Sequence, residues 1–116
     1  MSSEKRTRVE IFLPVRTDTT DYRAVIEWLS EELALARGGS TLTTPFTGLF
    51  ASSASTGSII RDQVQILFCD LDLNFEDESH RANLTVYLEE LRQLLLELLR
   101  EEDVWIVYYP IKRILQ

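Results

Sequence analysis

Apolar and polar residues alternate from Arg8 to Val15, with Val9, Ile11 and Leu13 on one side and Glu10, Phe12 and Pro14 on the other. A two-residue period marks a strand with two different faces. The spacing then lengthens to three and four residues. Tyr22, Val25, Ile26, Leu29, Leu33 and Ala36 predict a helix from Asp21 to Arg37, with Thr20 as its N-cap and Gly38-Gly39 as its stop. A second strand is predicted over Thr41–Ala51, where Pro45 and Gly48 point to an edge position or a bulge. The small residues of Ser52–Ser58 read as a mobile hairpin loop into a third strand, Ile59–Leu71. An acidic turn, Asn74–Ser79, leads to a second helix over His80–Glu101. Leu84, Tyr87, Leu88, Leu91, Leu95, Leu98 and Leu99 line its inner side, and Glu89–Arg92 and Glu97–Arg100 form exposed pairs. The last strand, Val104–Ile111, is closed by Pro110 and a short tail.

Strand, helix, two strands, helix, strand is the split βαβ order. It predicts an α+β, ferredoxin-like βαββαβ domain, a four-stranded antiparallel sheet with two helices on one face. The 116 residues make one such domain, with residues 1–7 as a flexible tail.

Two helices cover one face of such a sheet, and the other should be polar where it meets water. Here both faces read as apolar. Val64, Ile66 and Phe68 alternate with Leu67 and Cys69, and Val104, Ile106 and Tyr108 alternate with Trp105, Val107 and Tyr109. An uncovered apolar face marks an interface or a ligand groove, unless the chain's own tail or acidic turn covers it. Phe12, Phe50, Leu67, Cys69, Trp105, Val107 and Tyr109 are the candidates for it. Trp105 is expected opposite the helices and against a second subunit, although a bulge at the strand start would exchange the two sets.

Composition narrows the partners. A formal net charge of −7 repels phosphate backbones and anionic lipid, so no nucleic acid and no membrane is expected. Lys5, Arg6 and Arg8 at one end and Lys112 and Arg113 at the other are expected to meet at one end of the sheet as solvated charges. Met1–Glu10 has no apolar run behind it, and no stretch approaches the roughly 20 apolar residues of a membrane span. The single cysteine, Cys69, sits in an apolar run, which fits a reducing, cytoplasmic setting and an inert thiol.

Candidate chemistry thins out on inspection. Asp70-Leu71-Asp72-Leu73-Asn74 opens like an EF-hand loop, but Phe75 stands where glycine is needed and Arg81 where the bidentate glutamate belongs. Asp70, Asp72 and His80 remain as an acidic cation candidate, against the plainer reading of a solvated turn at a helix N-terminus. His80 is the only histidine, and no nucleophile stands beside it in sequence. Gly38-Gly39-Ser40-Thr41 ends a helix and carries no lysine, so it is not a phosphate loop. No metal and no cofactor is expected.

Gly38-Gly39-Ser40-Thr41, then Pro45, Gly48-Leu49-Phe50 and Ile60-Arg61-Asp62 before an apolar strand, resembles small bacterial ferredoxin-like proteins. The element order is similar to nitrogen-regulatory PII-like proteins and to dimeric α/β-barrel proteins. The PII-like resemblance implies a ligand-binding loop between the second and third strands, at Ser52–Ser58, and this segment carries no basic residue. The barrel resemblance implies an enzyme with a strand histidine, for which this chain has no counterpart. The functional expectation is a non-enzymatic binding or regulatory module, homo-oligomeric through its open sheet face, as a dimer or else a trimer. The alternative is a small-molecule sensor or barrel enzyme holding an apolar or aromatic ligand against Phe12, Phe50, Trp105 and Tyr109.

Overall fold

The computed structural model describes residues 2–16, 20–51 and 59–115. The loop expected at Ser52–Ser58 and the side chains of Thr20, Ala36 and Phe50 lie outside the described residues.

β1 (Ser2–Pro14) is the sheet's central strand together with β4 (Ile59–Leu71). They run antiparallel in the register Val9↔Cys69, Ile11↔Leu67 and Leu13↔Gln65. Odd-numbered side chains of both strands therefore share one face, where Thr7, Val9, Ile11, Leu13, Leu67, Cys69 and Leu71 are buried. Two helices cover that face. α1 (Thr20–Arg37) contributes Tyr22, Val25, Ile26, Leu29 and Leu33, and α2 (Glu78–Leu99) contributes Leu84, Leu88, Leu91 and Leu95.

The helix ends follow from local chemistry. α1 stops where Gly38 takes φ +88°, and the Gly38 N–H donates to the Ala34 carbonyl at 3.1 Å. α2 begins two residues before the expected His80, because the Asp77 carboxylate caps it by accepting from the Ser79 and His80 N–H groups. It ends at Arg100, in the left-handed region at φ 54°. The buried stripe of α2 is narrower than the leucine count implies, for Leu94 and Leu98 are exposed. Arg92 pairs with Asp103 at 2.8 Å.

Three expectations are corrected. The second strand is two strands, β2 (Thr41–Leu42) and β3 (Phe46–Ala51), both paired with β4, so the antiparallel sheet has five strands rather than four. Between Leu42↔Leu67 and Phe46↔Val64, residues 43–45 stand opposite residues 65–66. Pro45 cannot donate to the ladder, and the extra residue is taken up as a bulge on an edge strand. Thr43 closes the gap, donating its N–H to the Ile66 carbonyl and accepting the Ile66 N–H on Oγ1, both at 2.9 Å. Second, residues 2–7 are strand rather than tail, pairing from Ser2↔Leu115 through Thr7↔Pro110. Third, β5 (Trp105–Leu115) continues through Pro110, because an edge strand has one side on which no N–H is required.

Among the described residues, no helix is long and apolar enough to cross a membrane. Leu95 is 0% exposed between the helices and the sheet, whereas Val86 on the same helix is 57% exposed. Leu95→Ala should cost about 3 kcal/mol by urea unfolding. Val86→Ala should stay within about 0.5 kcal/mol of the parent.

Candidate functional site: the open face of the sheet

Even-numbered residues of β1 and β4 and odd-numbered residues of β5 point away from the helices, because directly paired residues share a face. Phe12 pairs with both Ile66 and Trp105, Glu10 with Phe68 and Val107, and Arg8 with Asp70 and Tyr109. The face has two halves.

One half is aromatic and aliphatic. The Phe12 and Trp105 rings meet edge to face with centroids 6.3 Å apart. Val64, flanked across the ladders by Pro14 and Phe46, is 5% exposed, although it lies outside the core beneath the helices. Trp105 is 56% exposed yet anchored: its Nε1–H donates to Asp103 Oδ2 at 2.9 Å, and Arg92 holds Asp103 while donating to the Val104 carbonyl. The Arg92 guanidinium keeps the Asp103 carboxyl below its ordinary range.

The other half is charged and internally paired. Arg8 grips Asp70 with two hydrogen bonds, at 2.7 and 2.9 Å, and lies 4.9 Å over the Phe68 ring. That fork lowers the Asp70 pKa and raises that of Arg8. The Tyr109 hydroxyl donates to Glu10, which pushes the phenol's pKa up. Glu4 accepts from both Arg6 and Arg113. The terminal cations do meet at one end of the sheet, and carboxylates interleave them.

Of the residues singled out from sequence, Phe12, Trp105, Val107 and Tyr109 come together on this face. Phe50 pairs with Ile60 at the far end of β3. Leu67 and Cys69 do not belong to the face. Their register partners are the buried Ile11 and Val9, so both side chains sit under the helices. Asp70, Asp72 and His80 do not converge either. Asp70 is taken by Arg8, Asp72 is exposed beyond the end of β4, and His80 Nδ1 accepts the Asn74 N–H at 3.1 Å. Among the described residues, no group of three or more His, Cys, Asp or Glu is placed to hold a metal ion. The Arg8–Asp70 fork and the Tyr109–Glu10 bond escaped sequence reasoning, since their partners lie 62 and 99 residues apart. Only the strand register brings them together.

The element order, the single-layer antiparallel sheet and the two helices on one side define an α+β protein of ferredoxin-like type. Three solved structures share this fold. A nitrogen regulatory PII-like protein from Thiomonas intermedia K12, bound to ADP, AMP and bicarbonate, is 11% identical with a TM-score of 0.54, covering 97% of this chain and 99% of its own. The divalent cation tolerance protein CutA1 from Thermus thermophilus is 17% identical with a TM-score of 0.52, covering 92% of this chain and 84% of its own. A phage SAM lyase in complex with S-methyl-5'-thioadenosine is 12% identical with a TM-score of 0.57, covering 93% and 90%. The expected likeness to PII-like proteins thus holds for the fold. No family model matches the sequence, and no curated protein does.

The Arg8–Asp70 fork sets a pH dependence. A carboxyl whose folded pKa is depressed adds stability that is present above its unfolded value and lost as pH falls through the folded one. Asp70→Asn should therefore lower the urea midpoint at neutral pH. Its deficit against the parent should shrink as both are titrated below about pH 4. A deficit that stays constant down to acid would show that the fork adds no charge-dependent stability.

Proposed function

We propose that this chain is a homo-oligomeric binding or regulatory module of the cytoplasm, not an enzyme, assembled through the open face of its sheet. The observation that carries the reading is Trp105, a large side chain more than half exposed, held in one orientation by Asp103 and packed against Phe12. An exposed aromatic already hydrogen-bonded and packed on one side has less entropy to lose on association, and tryptophan is among the side chains most enriched at interface anchors. The ion pairs beside it suit the rim of an interface. They are satisfied within the subunit and need not be broken when the apolar half is covered. A two-fold dimer would set the same patch against itself, and a three-fold ring would set Trp105 against a different part of the neighbour's face. The binding reading over the catalytic one rests on the reactive side chains having structural tasks: Cys69 fills the core and His80 holds a turn.

A second reading, a small-molecule sensor, draws on two neighbours of the same fold that were solved with adenine-containing ligands. Phe12 and Trp105 offer such a ring a stacking surface.

Light scattering across a dilution series separates the first reading from a monomer. The expected mass is a multiple of 13.4 kDa at micromolar concentration. Trp105→Glu should weaken assembly by about 2 kcal/mol or more, roughly 30-fold in dissociation constant. Glu89→Lys on the outer side of α2 should leave the mass unchanged. A folded Trp105→Glu protein that keeps the parental mass would remove the sheet face from the interface. A thermal shift with ADP, AMP or S-methyl-5'-thioadenosine that Trp105→Glu abolishes would favour the sensor.

A further inference from the structure

We propose that the end of the sheet beyond the N-terminus of α2 carries a binding site for a small organic anion with one flat apolar group, the anion held between Lys5 and Lys112. Both lysines lie on the opposite side of the sheet from Trp105, and the proposal is independent of the assembly reading.

A cleft of about 220 Å³ opens there, lined by both lysines, Arg6, Phe75, Glu76 and Pro110, with Arg6 already paired to Glu4. Lys5 and Lys112 are direct cross-strand partners on the helix side of the sheet. Like charges directly opposite one another destabilise a strand pair, so this register works against the fold unless an anion is present. The protein supplies little of one. Glu76 reaches Lys5 at 3.2 Å, but its side chain is 73% exposed and such a pair is weak in water. Lys112 has no ion pair among the described residues. In a chain of net charge −7, two cross-strand lysines with one exposed carboxylate on Lys5 form a local exception in sign.

The opposite wall is preformed. The buried Thr7 hydroxyl donates to the Leu73 carbonyl at 2.9 Å, the Asn74 N–H to His80 Nδ1 at 3.1 Å, and the Glu76 N–H to Asn74 Oδ1 at 3.1 Å. Phe75 is set between Tyr108, 6.0 Å between centroids, and the Arg81 guanidinium, 5.8 Å from its ring. Phe75 and Pro110 provide apolar surface beside the two ammonium groups. The volume falls below the roughly 300 Å³ at which drug-sized pockets begin, which limits the ligand to about one ring and one anionic group.

Calorimetric titration of the intact protein at low ionic strength tests this with phenyl phosphate, inorganic phosphate and phenol. Phenyl phosphate should bind more tightly than either fragment. Lys112→Ala and Lys5→Ala should each weaken it about tenfold or more, and Lys112→Arg should retain it. Glu76→Gln should tighten binding, because it removes the carboxylate that competes for Lys5, and Trp105→Glu should leave it unchanged. Without ligand, Lys112→Ala should raise the urea midpoint at low salt by relieving the repulsion, an effect that salt screens. Lost binding together with gained stability is the signature of a ligand site, since a merely structural lysine would lose both. No heat from phenyl phosphate at millimolar concentration overturns the assignment. So does parental affinity in Lys112→Ala, or weaker binding in Glu76→Gln. Inorganic phosphate binding as tightly as phenyl phosphate overturns the flat group.

Discussion

The antiparallel register of β1 against β4 is the constraint from which the rest of the molecule follows. Pairing Ile11 with Leu67 and Val9 with Cys69 sends every odd side chain of both central strands to one face. That face becomes apolar enough to bind two amphipathic helices, and Leu29, Leu33, Leu91 and Leu95 close over it. With β1 held in place, a slip of one residue in β4 would bring Ile66 and Phe68 under the helices and turn Leu67 and Cys69 out. The same register stacks Arg8 beside Asp70 and Glu10 beside Phe68 on the opposite side. Core and candidate surface are therefore two consequences of one pairing.

The two outer strands show how the sheet manages its edges. An open edge invites pairing with another chain, and proline, charge and bulges are the usual deterrents. On one side, Pro45 and the Thr43 bulge divide the edge strand into β2 and β3. On the other, β5 runs with Pro110 at its middle and Lys112 and Arg113 beyond. Association by edge-to-edge strand addition is discouraged on both sides.

Charge is distributed with similar economy. Arg6, Arg8, Arg92 and Arg113 each find a carboxylate, so the net negative charge conceals a set of local pairs along the rim of the open face. Arg16 joins Asp62 and Glu101 across the other end of the sheet, beside a Tyr22 phenol whose burial pushes its pKa up to about 12. Lys5 and Lys112 depart from this pattern. The strand register forces them together, and only a weak partner stands nearby.

The sequence alone determined the elements that local chemistry dictates. The two-residue period of Val9, Ile11 and Leu13, the helical stripe from Tyr22 to Leu33, the Gly38-Gly39 stop and the disruptive effect of Pro45 could all be read from neighbours along the chain. Alternation also placed Trp105 with Val107 and Tyr109, and Val104 with Ile106 and Tyr108. The tertiary structure decided what depends on partners far away in sequence. Leu67 and Cys69 look no different from Ile66 and Phe68 in an apolar run, and only pairing with Ile11 and Val9 shows which set lies under the helices. Residues 2–7 read as a polar tail because none of them is apolar, and they become strand because β5 lies alongside them through Leu115. The Arg8–Asp70 fork and the Lys5–Lys112 juxtaposition arise in the same way. Periodicity carries the direction of a side chain relative to its own strand, whereas the identity of its neighbour is fixed only when two strands meet in register.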